Sequence, residues 1–368
     1  MTNMNETQLL KTLYDILALD AVSGHEEKVA AYCLTYLKSL GFDTKTDTKG
    51  NVIGYLPGFG EPLLLTAHMD RVPPGKGHTP VREGDILKSD GTTNLGTDDA
   101  AGIVIILGAI KSVLESKVSY PPFVVAFTVE EEIGLHGARE LDLSEYNVKQ
   151  GIGYDNAYEA GVLIESGSTY EGFDIEIIGK PTHPGQDLSK GINALKVFLE
   201  TDWMIGLSDE EKSRINIGLI SGGTARNVVP GSVKIQGELR SVLDDVGVAK
   251  KLKVLEENLK KICDQYGARY TFVTHRHSSS YSVDLTEPLV MLYKQILEEQ
   301  GRQLVAKATY VGSDANTLRA EKNLKVFTLA TGVVNEHTVN EWMKVSDLIM
   351  LTKDLTLLLE KLGAIYPN

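Results

Sequence analysis

The sequence predicts an α/β protein in which a mixed-sheet α/β domain is interrupted by a smaller α+β domain, and three observations carry that prediction. Apolar runs too continuous to have a solvent face alternate with helical periods at both ends of the chain. A middle stretch alternates apolar and polar residues instead. The 368 residues also exceed the roughly 250 to 300 at which one hydrophobic core stops growing.

Residues 6–40 read as two helices: Leu9, Leu10, Leu13, Ile16 and Leu17 fall at helical spacing, Ser23-Gly24-His25 breaks it, and Val29, Tyr32, Tyr36 and Leu37 resume it. Asn51 to Leu56 and Leu63 to Ala67 read as strands, the second apolar enough to be buried on both faces. Val81 to Leu87 alternates around Gly84 like a hairpin. A helix is expected from Asp99, with Ile103, Ile106, Leu107, Ile110 and Leu114 as its buried stripe. Phe123 to Val129 and Gly151 to Tyr154 are the next strands. Strand, helix, strand with continuous apolar strands calls for a parallel or mixed sheet covered by helices on both faces.

Near residue 170 the pattern changes. Gly172 to Ile178 alternates; a helix is expected over Ala194 to Leu207, strands over Ile215 to Leu219 and Val233 to Leu239, a charged helix over Val246 to Tyr266, and a strand over Tyr270 to Thr274. Strand, helix, two strands, helix, strand is the order of a ferredoxin-like α+β sandwich. Residues 171–283 are therefore expected as an insertion between 1–170 and 284–368. After Pro288 the α/β character returns, with a helix over Leu289 to Glu299, the strand Lys325 to Thr331 and a closing helix over Val345 to Leu362.

Fifty acidic against 37 basic residues give a formal charge of −13 with no local basic patch, which argues against nucleic acid or an anionic membrane surface as partner. No run approaches the roughly 18 apolar residues of a membrane span. Met1 to Asp20 carries neither the apolar stretch of a signal peptide nor the Arg-rich face of a transit peptide. Cys33 and Cys263 lie far apart, which opposes a disulfide framework or a thiolate metal cluster. A reduced, cytoplasmic setting is the expectation.

The chemistry-bearing residues gather at strand ends, where open α/β sheets place their ligands. His68 and Asp70 close the strand Leu63 to Ala67, and the strand period of two puts both on one side, so one can ligate a metal while the other fixes its imidazole. Asp98-Asp99 stands where the next helix begins, Glu130-Glu131-Glu132 ends the strand Phe123 to Val129, Asp155 follows Tyr154, and His337 follows the strand Lys325 to Thr331. Singly, each has an ordinary reading: a helix N-cap, a solvated acidic run, a surface histidine. Together they put several like charges at one sheet edge, which costs energy unless a cation neutralises them. Imidazole and carboxylate donors without thiolate suit zinc, with cobalt or manganese as alternatives. A serine hydrolase would need a Gly-x-Ser-x-Gly elbow, and a nucleotide enzyme a glycine-rich loop leading into a helix. Glu165 to Ser168 and Gly54 to Gly60 supply neither.

Thr66-Ala67-His68-Met69-Asp70, Gly96-Thr97-Asp98-Asp99-Ala100-Ala101-Gly102 and Phe127-Thr128-Val129-Glu130-Glu131-Glu132-Ile133-Gly134 resemble the metal motifs of the di-zinc exopeptidases that include peptidase T and the glutamate carboxypeptidases. The resemblance continues through Gly179 to Gly185, Asn227 to Gly231, Gly237 to Arg240 and Gly312 to Ala315, and is closest to peptidase T-like tripeptide aminopeptidases. It implies two Zn2+ per subunit, with Co2+ or Mn2+ as alternatives. His68 and Asp155 would complete one site, Glu132 and His337 the other, and Asp98 would bridge both. Asp70 would orient His68, and Glu131 would be the general base; Glu131 and Glu132 are assigned by their spacing to Gly134, while the extra acid at Glu130 leaves a one-residue slip open, against which stands the rule that adjacent strand residues face opposite ways.

The same resemblance implies that the inserted domain is a lid and dimerisation domain, that His183 supplies an oxyanion contact, that Asn227 lines the cleft and that Arg240 grips a substrate carboxylate. By residue type alone, His183 can also be a turn residue between Pro181 and Pro184, and Arg240 a sheet salt bridge. His25, His78, His136, His275 and His277 are expected at the surface, the last two alternating on one strand face where they could hold a metal adventitiously. The function implied is a cytoplasmic, homodimeric di-zinc aminopeptidase that releases the N-terminal residue of short peptides by attack of a metal-bridging hydroxide. The metal motifs fix the reaction and not the substrate, so a dipeptidase, carboxypeptidase or N-acyl-amino-acid deacylase on the same scaffold is the alternative. A catalytically silent binding or regulatory dimer is the alternative from another class, opposed by the intact Glu131 and ligand set.

Overall fold

Apolar residues at helical spacing set the first two elements, α1 (Glu6–Leu17) and α2 (Glu27–Ser39), which bury Leu9, Leu13, Ile16 and Leu17, and Val29, Cys33 and Leu37. The computed structural model describes residues 6–208 and 212–365. There follow β1 (Asp43–Thr46), β2 (Val52–Leu56), β3 (Leu63–His68), the hairpin β4 (Val81–Glu83) and β5 (Ile86–Lys88), α3 (Thr97–Ser116), β6 (Phe123–Thr128), α4 (His136–Glu140), β7 (Gln150–Tyr154) and β8 (Leu163–Gly167). Every residue of β3 and β6 is buried, as their unbroken apolar sequences require.

The chain then forms β9 (Thr169–Ile178), α5 (Ala194–Glu200), β10 (Gly206–Ser208), β11 (Ser213–Gly222), β12 (Ser232–Ser241), α6 (Asp245–Tyr266) and β13 (Arg269–Ser278). It returns through β14 (Tyr281–Ser282), α7 (Pro288–Glu299), β15 (Ala306–Ala308), β16 (Lys325–Leu329), β17 (Trp342–Lys344) and α8 (Val345–Ile365). Two compact units result: Met1–Ser166 with Ser282–Asn368, and Gly167–Tyr281. The break falls at 167 and 281 where the sequence pattern suggests 171 and 283, because β9 begins before its alternation becomes visible.

In the first unit the main sheet runs β1-β2-β6-β3-β7-β16-β8-β14, with β15 pairing β8. The four central strands β6, β3, β7 and β16 are mutually parallel, while β2 and β8 pair antiparallel at their flanks. The sheet is therefore mixed, and the carboxyl ends of its parallel strands share one edge. That edge carries the polar residues discussed below.

The second unit is an antiparallel sheet in the order β10-β11-β12-β9-β13. Its core joins Phe173, Ile175, Ile177, Val233, Ile235 and Leu239 of the sheet to Val197 of α5 and Leu255, Leu259 and Cys263 of α6. Leu219, Ile220 and Val273 are left exposed on its strands. Among the described residues no helix is long and apolar enough to cross a membrane.

Two expectations are corrected here. The helix from Ala194 stops at Glu200 and does not reach Leu207. The Thr201 hydroxyl turns back to Val197 O at 2.8 Å and Trp203 Nε1 donates to Phe198 O at 2.9 Å, so the indole reaches the core from a loop rather than from a further helical turn. Met204 (φ 53°) and Gly206 (φ 122°) then redirect the chain into β10. The strand Lys325 to Thr331 likewise ends at Leu329.

Candidate metal centre

Six of the residues that the sequence singles out meet at the carboxyl edge of the first unit's sheet. His68 is the last residue of β3, and Asp155 follows β7, its amide fixed by a 3.1 Å bond to Leu329 O at the end of β16. Asp98 precedes the regular turns of α3. Its neighbour Asp99 takes the capping role, accepting from Gly102 N at 3.0 Å, and a Cβ at Gly102 would lie 2.4 Å from that carboxylate. The ordinary reading of an Asp at a helix start thus belongs to Asp99, which leaves Asp98 turned to the cluster. His337 sits in a turn with φ 63°, an uncommon conformation for a residue with a Cβ.

His68 Nε2 lies 3.4 Å from Asp98 Oδ1, and His337 Nε2 lies 3.2 Å from Asp98 Oδ2 and 2.9 Å from Glu132 Oε1. Three sets of donor atoms fall within 4.8 Å of one another: His68, Asp98 and Asp155; Asp98, Glu132 and His337; and His68, Glu131 and Glu132. The first two sets share Asp98. Two imidazoles and four carboxylates with no thiolate form a donor set suited to divalent ions of the zinc type.

The electrostatics point the same way. Burial, and then the negative charge of Asp98, raise the Asp155 carboxyl well above its ordinary range; burial and Asp155 do the same to Glu131. Asp98 is held low despite burial because both imidazoles face it. Asp98 and then Glu132 push the His337 imidazole up to about 10. Burial opposes charge on His68, but the Asp70 and Asp98 carboxylates outweigh it. Carboxylates crowded together in a buried site disfavour one another's charge, and divalent ions relieve that crowding.

Asp70 does more than its spacing suggests. His68 Nδ1 lies 3.4 Å from its carboxylate and 3.0 Å from its backbone carbonyl. The fully buried carboxylate also accepts from Ser23 Oγ at 2.7 Å, Glu131 N at 3.0 Å and Glu132 N at 3.2 Å. One side chain therefore fixes an imidazole and the backbone of two glutamates. Both glutamates lie beyond the end of β6, in a turn closed by Gly134 and Leu135 bonding to Glu131 O, and so strand alternation does not separate them. Glu130 is the acid that turns away, pairing with Lys49 Nζ at 2.6 Å and His136 Nδ1 at 2.8 Å.

The remaining candidates belong to the second unit. His183 is exposed in a turn, its Nδ1 accepting from Gly185 N at 3.2 Å; Asn227 is exposed between β11 and β12. Arg240 lies 3.3 Å from Glu238 and packs its guanidinium over the Tyr170 ring at 4.0 Å. His277 stacks on the other partner of that group, its ring centroid 4.4 Å from Tyr170. A register break between Arg276 and Ser278 ends the alternation expected of His275 and His277, and His275 pairs with Asp174 at 3.0 Å instead. His78 is another correction: it is buried, with Nδ1 bonded to Asn94 O at 2.9 Å, and burial lowers its basicity. Two further buried acids border the centre without a role assigned by sequence. Asp314, raised to about 6 by burial, accepts from the Thr128 hydroxyl, and Glu341 accepts from the backbone ahead of Asp98.

Comparison with known proteins gives the family of the chain. Residues 64–361 match Peptidase family M20/M25/M40. Protein YqjE of Bacillus subtilis strain 168 is 30% identical over 370 residues, covering 97% of this chain and 99% of that protein. Peptidase T of Clostridium perfringens is 27% identical over 283 residues, covering 72% of this chain and 65% of its own length. The crystal structure of aminopeptidase PepT from Bacillus cereus ATCC 10987 superposes with a TM-score of 0.91 at 26% identity, over 97% of this chain and 99% of that one. Fold and family together define the class, a hydrolase of the metallopeptidase kind. The chain belongs to Peptidase family M20/M25/M40, with peptidase T-like relatives.

Proposed function

We propose that the protein is a two-metal aminopeptidase of the tripeptidase kind, releasing the N-terminal residue from short peptides. The observation that carries the two-metal hydrolysis in this reading is the pair of donor groups that share Asp98, with the buried carboxylate of Glu131 beside them and outside both. In this reading His68 and Asp155 would hold one ion, Glu132 and His337 would hold the other, and Asp98 would serve both; zinc suits the donors, with cobalt or manganese as alternatives. Two such ions, when bound, polarise a scissile carbonyl and lower the pKa of a water molecule.

The chain's own residues do the rest. Glu131 accepts a proton from the attacking water and returns it to the departing amine nitrogen. Asp70 keeps His68 oriented while its hold on the Glu131 and Glu132 amides sets base and ligand in one frame. Arg240, pre-ordered by Tyr170 and Glu238, is the group we assign to the substrate carboxylate. His183 is assigned to the oxyanion and Asn227 to the cleft lining, on resemblance. The likeness to aminopeptidase PepT and Peptidase T supports a free-amine peptide as substrate. We infer that the second unit serves as lid and dimer surface, its exposed Leu219, Ile220 and Val273 being covered there; sedimentation at the mass of two chains supports this and of one chain removes it.

Removal of metal tests the core of the reading. Chelation is expected to abolish hydrolysis of a short peptide, and titration with Zn2+ to restore it as two ions bind per chain. Hydrolysis by the stripped protein, or binding of no ion, would sink it.

A further inference from the structure

A buried carboxylate that none of these roles uses stands behind the metal centre. Glu341 lies between His337 and β17 and is 1% exposed. Its Oε1 accepts from Thr97 N at 2.8 Å and Thr97 Oγ1 at 2.7 Å; its Oε2 accepts from Leu95 N at 3.0 Å and Gly96 N at 3.1 Å. Asp98 N is 3.4 Å away. Successive backbone N–H groups converging ahead of a helix form an anion site, favoured further by the positive end of the helix dipole. Here the anion is a side chain of the same protein, 244 residues from Thr97.

The loop is gripped from its other side as well. Gly96 has φ 76°, and a Cβ there would lie 2.8 Å from Arg71 Cδ and 2.9 Å from His78 Cε1, so only glycine fits between these buried side chains. Arg71 is itself fixed, donating to Ile16 O and Leu19 O at the end of α1. The main chain of Glu341 closes the turn that displays His337: its N–H donates to Thr338 O at 3.2 Å, and its carbonyl accepts from Ser89 N at 3.0 Å. One residue thus holds the loop before Asp98 with its side chain and the turn after His337 with its backbone.

We propose that Glu341 is a positioning residue whose carboxylate locks the 95–98 loop to the His337 turn and so sets Asp98 and His337 at the separation needed by the ion they share with Glu132. The inference rests on the metal reading above. It differs from a general stabilising role in one respect: it predicts an unequal effect on the two ions.

The test uses the full-length protein with Glu341→Gln, which keeps the volume but turns an NH2 group toward N–H donors, and Glu341→Asp, which keeps the charge on a shorter arm. In the metal-free protein, amide hydrogen exchange of residues 95–98 should quicken at least about ten-fold in Glu341→Gln while β3 and β6 are unchanged. By calorimetry with Zn2+, the ion at Glu132 and His337, which depends on both held elements, should bind about 10- to 100-fold more weakly, and the ion at His68 and Asp155, which depends on Asp98 alone, should weaken by clearly less, with Glu341→Asp recovering part of the loss. Thr97→Val, which removes only the hydroxyl bond, should move both readouts the same way by less, and it carries the test if Glu341→Gln does not fold. Unchanged loop exchange with both ions bound normally would overturn the proposal, and so would equal weakening of both ions. A wild-type chain that binds fewer than two ions would overturn the metal reading itself, while loop exchange in the metal-free protein still judges the hold of Glu341.

Discussion

Glu131→Gln is expected to lower kcat for a short free-amine peptide by about 10³-fold, near 4 kcal/mol of barrier, with KM altered by less than about three-fold and both ions still bound. The substitution keeps the side chain's shape in a buried position whose backbone is already fixed by Asp70. It removes only the ability to take a proton from water and return it to the leaving nitrogen. Metal content decides between the two roles open to this carboxylate, because Glu131 also falls within reach of His68 and Glu132 as a third donor group. Retention of two ions with turnover lost fits the base; loss of an ion assigns Glu131 to the ligands; turnover equal to wild type contradicts the mechanism. The measurement is steady-state kinetics beside metal analysis of the same preparation.

The second large effect is expected at Asp98. Asp98→Ala should weaken both ions, each by more than the roughly 10- to 100-fold that loss of an outer hydrogen-bond partner costs, and hydrolysis should fall below detection at zinc concentrations that saturate wild type. The reason is geometric: its Oδ1 lies 3.4 Å from His68 Nε2 and its Oδ2 3.2 Å from His337 Nε2, so the two donor groups meet on this one side chain. Substitution of a donor in only one group is expected to behave differently. His337→Ala should spare the ion at His68 and Asp155. Calorimetric titration with Zn2+ separates the cases, and an Asp98→Ala protein that loses a single ion would remove the bridging role.

Much of this centre was legible because His68, Glu131, Glu132 and Asp155 stand at or just beyond the ends of buried strands. Buried strands such as Leu63 to His68 and Phe123 to Thr128 announce themselves by composition, and polar residues directly after them have few reasons to be there other than chemistry. The second unit was legible from its alternation and element order. What remained hidden had weak local signals. β1, β14, β15 and β17 are two to four residues long and set by pairing with neighbours rather than by their own pattern. The helix at Ala194 looked longer because Trp203, Met204 and Leu207 extend its apolar spacing, yet tertiary packing draws the indole into the core from a loop.

Four particular residues show the limit more sharply. Glu341 directly follows a mostly polar segment, Asn335 to Asn340, where an acid reads as solvated; only the fold reveals that five donors from residues 95–98 surround it. Glu131 and Glu132 were assigned by their spacing to Gly134; strand alternation does not separate them, since the strand has already ended at Thr128 and Asp70 organises the turn that follows. His78 was expected at the surface, and its burial comes from the Asn94 to Gly96 loop closing over it.

The most direct test of the proposed activity is hydrolysis by the zinc-loaded protein of a free-amine tripeptide beside its N-acetylated twin, with the released fragments identified by mass. The account predicts cleavage of the free peptide alone, with release of its first residue and an intact dipeptide. Turnover of the acetylated twin, or release of the last residue, would contradict it and assign the same two-metal chemistry to a deacylase or carboxypeptidase.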